Sequence, residues 1–296
     1  MGQEKYQGLL NEHGRFNGVT RLDETALMIP LKTKKPTTFF VNSMSDLFHE
    51  SIPDAWIDKV FAVMALCRQH RFQVLTKRAD RMERYFQSKE VETRWMDASP
   101  RPHLLDLMLK IPQATPFNTA YLEGFALTTE EILDAAFRVP LPNVWLGVSA
   151  ENQAYADARI PRLLETPAAV RFVSAEPLLE PITLTSYLKC ESCLDPQICW
   201  CVDPKINLVI VGGESGPAAR KCHADWIRLL VNQCQGADVP VFVKQLGSNV
   251  YVSGLELTER TTQLGRDWQI RDRKGGNPNE WPEDLRVREM PQKQGD

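Results

Sequence analysis

Apolar residues in this chain come in short continuous runs, each ending in a polar cluster and most followed by an amphipathic stretch. Six runs stand out: 38–42 (TFFVN), 72–76 (FQVLT), 144–148 (VWLGV), 171–174 (RFVS), 208–211 (LVIV) and 241–243 (VFV). Their β-branched and aromatic content predicts strands buried on both faces. Behind the first run, Trp56, Val60, Val63 and Met64 repeat at helical spacing, and Pro53 falls where a proline opening that helix at its first position belongs. The second run leads into ADRMERYFQ and the third into YADARIPRLLE. The fifth leads through GGESGPAAR to a helix predicted over about 225–234.

Buried strands alternating with helices indicate a single α/β domain, a parallel sheet covered by helices. An open doubly wound sheet fits this periodicity equally well. Six strands without a Gly-x-Gly-x-x-Gly turn after any of them favour a partial (β/α) barrel of the TIM type. Three stretches interrupt the pattern. Residues 88–142 read as an insertion, helical around 129–137, and 184–204 as a short excursion. From about 247 onward the chain reads as an irregular C-terminal extension anchored by Trp268 and Trp281.

Composition narrows the setting. The 296 residues are 43% apolar and 25% charged, as in an ordinary globular protein. A net charge of −3 gives no global positive field toward nucleic acid or membrane. No apolar run nears the ~18–20 residues of a membrane span, and the first residues lack the apolar core of a signal peptide. A cytoplasmic protein without membrane association is expected. Seven cysteines are too few for a disulfide scaffold. Four of them, Cys190, Cys193, Cys199 and Cys201, crowd into C-x2-C-x5-C-x-C. Four thiolates so close can build a tetrahedral structural zinc site. The final C-x-C is tighter than usual for zinc, so clustering without metal stays open.

The polar clusters closing the runs are the candidate chemistry. In a parallel barrel the C-terminal strand ends and their loops converge on one mouth, where ligands bind. Those ends supply Asn42, Ser43 and Asp46; Lys77; Ser149 and Glu151; Glu176; Gly212, Gly213, Glu214 and Ser215; and Lys244 with Gln245. Asp46, Lys77 and Glu176 are the candidates for touching a reacting group, and the others for holding a ligand. Two glycines in succession would admit positive φ and close backbone approach to a ribose or an amino-acid end, with Glu214 accepting from its hydroxyls or amine. The turn is not a P-loop, since no Gly-Lys-Ser/Thr follows. A structural reading stands beside this one: Asp46 and Ser149 as helix caps, Gly212-Gly213 as a tight turn, and Glu176 paired with Lys77 or Lys244.

In order, FFVNSMSDLFHE, FQVLTKR, LPNVWLGVSAENQ, RFVSAEPLL, VIVGGESGPAAR, VFVKQLG and the tail DRKGG…EWPEDLRVRE resemble the phage Gp37/Gp68 family, also called DUF5131. The resemblance covers about 22–290. It implies kinship with radical S-adenosylmethionine (radical-SAM) enzymes of the spore photoproduct lyase branch, hence a radical-SAM-type partial barrel. It also implies S-adenosylmethionine with a 4Fe–4S cluster on three cysteines, a nucleotide or nucleic-acid substrate, and in some members a three-Cys-motif partner protein. This chain departs from relatives in having no cysteine before Cys67. Its first two dozen residues resemble the stretch after the three-cysteine motif. The cluster-binding segment is therefore expected to be missing, through a late start or through loss. A radical-SAM-like protein acting on or binding a nucleotide substrate is one expectation. A non-catalytic barrel that keeps only the pocket is the other, with a metal-free lyase or hydrolase behind both.

Overall fold

The computed structural model describes residues 7–13, 17–100, 135–188, 205–251 and 271–291. Its strands are β1 Thr38–Val41, β2 Arg71–Thr76, β3 Val144–Ser149, β4 Val170–Ala175, β5 Leu208–Gly212, β6 Cys222–His223, β7 Val241–Gln245 and β8 Val250–Tyr251. Six of these form one all-parallel sheet in the order β1-β2-β3-β4-β5-β7, curled into a half-barrel. Each strand lies beside its predecessor in the sheet and the order never reverses. That excludes the doubly wound alternative, which needs a switch point. All six apolar runs are strands, within a residue or two of their predicted bounds.

The helices are α1 Glu24–Leu27, α2 Ile29–Lys32, α3 Asp54–Leu66, α4 Ala79–Phe86, α5 Val91–Ala98, α6 Gln153–Glu165, α7 Thr185–Leu188 and α8 Ala224–Gln235. Alternation along the strands divides the sheet into two faces. Phe72, Val74, Val144, Leu146, Val148, Val173, Val209, Val211, Val241 and Val243 turn outward into the core shared with the helices. Trp145, Phe172 and Leu208 pack with Leu75, Ile210 and Phe242 in a second, smaller cluster on the concave side. Burying such side chains contributes roughly 1.5–3 kcal/mol each, which is why both faces of β3 are apolar and no residue of it is exposed.

Local departures have local causes. Pro53 precedes the first turn of α3 as its N-cap, with φ −63° and ψ 145°, rather than occupying the first helical position. The predicted insertion begins with the ordered helix α5, whose Trp95 stacks on Phe61 of α3 at 5.0 Å and 9°. Residues 135–137 are helical as predicted, whereas 129–134 and Trp268 lie outside the described residues. The excursion opens with α7, and the rest of it, with its four cysteines, also lies outside them.

The described tail, 271–291, is integral to the fold. Val243 N–H donates to Val287 O and Glu289 N–H to Val241 O, both at 2.9 Å, with an antiparallel bridge between Phe242 and Arg288. The tail thus covers the outer edge of β7. Trp281 is buried as predicted, and its Nε1–H donates to Gly275 O at 2.9 Å. No helix among the described residues is long and apolar enough to cross a membrane.

Candidate functional site at the strand ends

Continuing the alternation of the concave cluster past the strand ends puts Lys77, Ser149, Glu151, Ser174, Glu176, Gly212 and Lys244 on one side of the sheet. The register supports this: Ser149 lies opposite Ser174, and Ala175 opposite Val211. The side chains then meet in two ion pairs. Lys244 Nζ lies 3.0 Å from Glu176 Oε2, and Lys77 Nζ is in close contact with Glu151 Oε1. Of the two partners the sequence offered Glu176, the structure selects Lys244. Both lysines stay half exposed, at 54% for Lys77 and 55% for Lys244, so each ammonium faces the mouth.

Glu151 is buried at 5% exposure and is braced from two sides. Besides Lys77, it accepts from Arg159 of α6 at 2.9 Å, and Arg159 also donates to Ser149 O at 2.9 Å. Burial alone pushes the Glu151 carboxyl up. The Lys77 ammonium, a backbone donor and Arg159 outweigh it and hold the group below the usual carboxylate range. Asn152 caps α6 by accepting from Tyr155 N–H, which fixes where Glu151 leaves the strand. Ser149 is not the cap; its side chain is buried in the row.

Asp46 is occupied by four donors. Its Oδ1 accepts from Phe48 N–H and Thr76 Oγ1, and its Oδ2 from Lys77 N–H and Arg78 Nη1, at 2.7 to 3.0 Å. It ties the loop after β1 to the end of β2 and caps no helix. Asn42 ends β1 in the left-handed region at φ 57°, a conformation asparagine tolerates better than most residues. Ser43 and Ser215 lie exposed on the loops beyond.

The paired glycines act differently from expectation. Neither Gly212 nor Gly213 has positive φ; the left-handed residue of that turn is Gly216, at φ 117°. A Cβ on Gly213 would stand 2.2 Å from Leu246 O, so its missing side chain admits the backbone leaving β7 rather than a ligand. Gly247 packs against Gly213, and Gly275 of the tail packs against Gly247. Gln245 Nε2–H closes the turn by donating to Gly213 O at 2.9 Å. Only Gly212, with Glu176 Cδ 3.4 Å from its notional Cβ, borders the charged row.

Glu214 is likewise engaged. Arg220 grips both its oxygens at 2.8 and 2.9 Å and adds its own N–H, holding the carboxyl down to about 2. A ligand amine or hydroxyl reaching Glu214 would have to share it with Arg220.

Below the row, Phe172 lies over Gly147, whose notional Cβ would meet the ring at 2.5 Å. At the far end of the concave face, Arg71 stacks over Trp145, 4.3 Å from its ring centroid. Phe40 of β1 is 47% exposed at the open side. A cleft of about 180 Å³ lies elsewhere, between Glu24, Met28, Lys59 and Ala98.

The described cysteines do not fit an iron–sulfur cluster. Cys67, Cys222 and Cys234 sit on separate elements, all buried, and burial pushes each thiol up to about 12. No group of three or more His, Cys, Asp or Glu among the described residues is arranged to hold a metal. The proposed zinc ligands, Cys190, Cys193, Cys199 and Cys201, lie outside the described residues. Arg159 and Arg220 are the site residues the sequence reading missed. Arg159 shares a stripe of α6 with buried Ala156, Ile160 and Leu163. A cation on an apolar stripe is a signal for a buried acidic partner.

A family model described as "Protein of unknown function (DUF5131)" matches residues 1–281. No curated protein and no solved structure matches the chain.

Proposed function

The chain belongs to the DUF5131 family, and on that premise we propose that it is a radical-SAM-like partial barrel whose concave mouth binds a nucleotide-type ligand. The observation that carries this reading is the single row of Lys77, Glu151, Glu176 and Lys244 at converging strand ends, with both ammonium groups open to solvent. Two carboxylates flanked by two ammonium groups, beside an apolar floor, suit a ligand with a flat ring at one end and charged groups at the other. S-adenosylmethionine, the cofactor the family implies, has that form. Lys244 and Lys77 would face its carboxylate, Glu176 its ammonium, and the floor its adenine. Bound there, it would supply an adenosyl or methyl group to chemistry whose iron centre the described cysteines do not hold. Lys77, Glu176 and Lys244 are the residues proposed to touch the ligand, Lys77 and Glu176 nearest its reacting group. Asp46 acts through Lys77, whose backbone N–H it holds, as a positioning residue.

Titration calorimetry with S-adenosylmethionine and with adenosine monophosphate tests this. Glu176→Gln and Lys77→Met should each weaken binding about tenfold, which is ~1.4 kcal/mol, with Tm changed by less than about 3 °C. A fall in Tm without loss of affinity would return both ion pairs to a purely structural role.

The burial of Cys67, Cys222 and Cys234, the described cysteines, favours a second reading: a binding protein without radical chemistry. Both readings expect this chain by itself to stay colourless on anaerobic reconstitution with iron and sulfide. Joining it to an upstream three-cysteine segment, if the gene encodes one, therefore separates them. An iron–sulfur absorbance band then supports the first, and a colourless protein that still binds nucleotide the second. We further propose a structural zinc on Cys190, Cys193, Cys199 and Cys201. Metal analysis should find about one zinc per chain, lost on Cys193→Ser.

A further inference from the structure

Beside the mouth, β6 and β8 form a two-stranded parallel ribbon in which Cys222 pairs with Val250 and His223 with Tyr251. Cys222 is buried and Val250 packs on the core, so alternation turns Lys221, His223 and Tyr251 to the opposite side. There His223 lies 4.9 Å from Tyr251 at 69° and rests on Trp226, 4.3 Å away at 34°, which itself packs on the core. Lys221 Nζ stands 5.5 Å from the Tyr251 ring centroid, and Tyr251 is 46% exposed. Ser248, three residues before Tyr251, hydrogen-bonds the carbonyl of Arg273, which brings Arg273 to the same neighbourhood, with Lys274 beside the Asp272 carboxylate. Among the described residues no carboxylate forms an ion pair with Lys221 or Arg273. Arg220, next to Lys221, holds Glu214 at the mouth and lies within electrostatic range of Glu151.

We propose that Lys221, His223 and Tyr251, backed by Trp226, form a stacking platform for single-stranded nucleic acid leading into the mouth. Aromatic faces take unpaired bases of any sequence, and cations beside them take the phosphates. A duplex hides its base faces, and an acidic peptide would engage the cations while leaving the rings unused. With the chain at −3 overall, attraction of a polyanion has to be local. This proposal rests on the nucleotide reading of the mouth and extends it from a mononucleotide to a strand.

Fluorescence anisotropy of a labelled oligothymidylate against the full chain tests it, with adenosine monophosphate titrated separately. Tyr251→Ala should raise the oligonucleotide Kd about tenfold or more, and Tyr251→Phe should restore it. Lys221→Ala should reduce the salt slope by about 0.7. Neither should alter mononucleotide affinity. Mononucleotide binding without oligonucleotide binding would overturn the platform alone. Failure of mononucleotide binding in the unaltered protein would overturn the mouth reading, with the oligonucleotide data still deciding the platform. Equal binding of a duplex or of oligoglutamate, indifferent to Tyr251→Ala, would show plain charge attraction and overturn stacking.

Discussion

Glu214 and Arg220 give the residue scale its clearest test. The Glu214 carboxyl sits at about 2 in the folded protein because Arg220 supplies side-chain and backbone donors, against an ordinary value near 4.5. A depressed carboxylate contributes stability that is present above the unfolded value and lost as pH falls toward the folded one. The pair should therefore contribute fully above about pH 4.5 and fade between about pH 4.5 and 2. Arg220→Gln should lower Tm slightly at neutral pH, flatten the fall between about pH 4.5 and 2, and meet the parent curve near pH 2. The pair is partly exposed, so solvent screening keeps the effect small. An acid limb identical to the parent's would show that Arg220 does not hold the carboxylate in solution. Residue-scale detail was also the least legible in the sequence. Glycines at 212 and 213 were readable, but which group approaches them was not, because Leu246 and Gly247 reach Gly213 only through the return of β7. Whether Glu176 takes Lys77 or Lys244 was equally hidden, being decided by register between strands far apart in the chain.

Elements are held together by polar contacts inside apolar faces. Asp58 sits on the buried side of α3, where Tyr85 of α4 donates to it at 2.6 Å and Arg94 of α5 approaches both its oxygens at 3.2 Å. Trp95 Nε1–H donates to Tyr85 Oη at 2.7 Å, so one hydroxyl joins three helices. Burial and the neighbouring Asp58 push the Tyr85 hydroxyl well up, which keeps it a donor. Tyr85→Phe removes a donor from Asp58 and an acceptor from Trp95. Stability should fall by about 1–3 kcal/mol, read from urea midpoints at unchanged slope. A smaller loss would mean water replaces the hydroxyl. At this scale the sequence was most informative: strands buried on both faces must be apolar throughout, so the six runs marked themselves. Helix α5 was hidden because VETRWMDA is short, and much of its burial rests on Val91 and Trp95.

Across the whole molecule, the half-barrel gathers side chains more than 160 residues apart into one row, from Lys77 to Lys244. The tail's contribution is testable through Trp281, which is buried, bonded to Gly275 O and stacked under Arg288 at 5.1 Å. Trp281→Ala should cost about 3–5 kcal/mol and should free the β7 edge, which the tail covers through Val287 and Glu289. Self-association on size-exclusion chromatography should follow. A monomeric variant of near-parental stability would show the tail to be an appendage.

The two margins of the sheet are unlike. The β7 margin is sealed by the chain's own residues, while β1 pairs with β2 alone among the described strands and carries Phe40 exposed. Among the described residues the sheet thus has one unsealed margin, which gives it a valence of one. It can accept one further strand, and two such molecules joined there would leave nothing free to recruit a third. Growth through the sheet is thus self-terminating, and the tail, by sealing one margin, separates a bounded pair from an unbounded fibre.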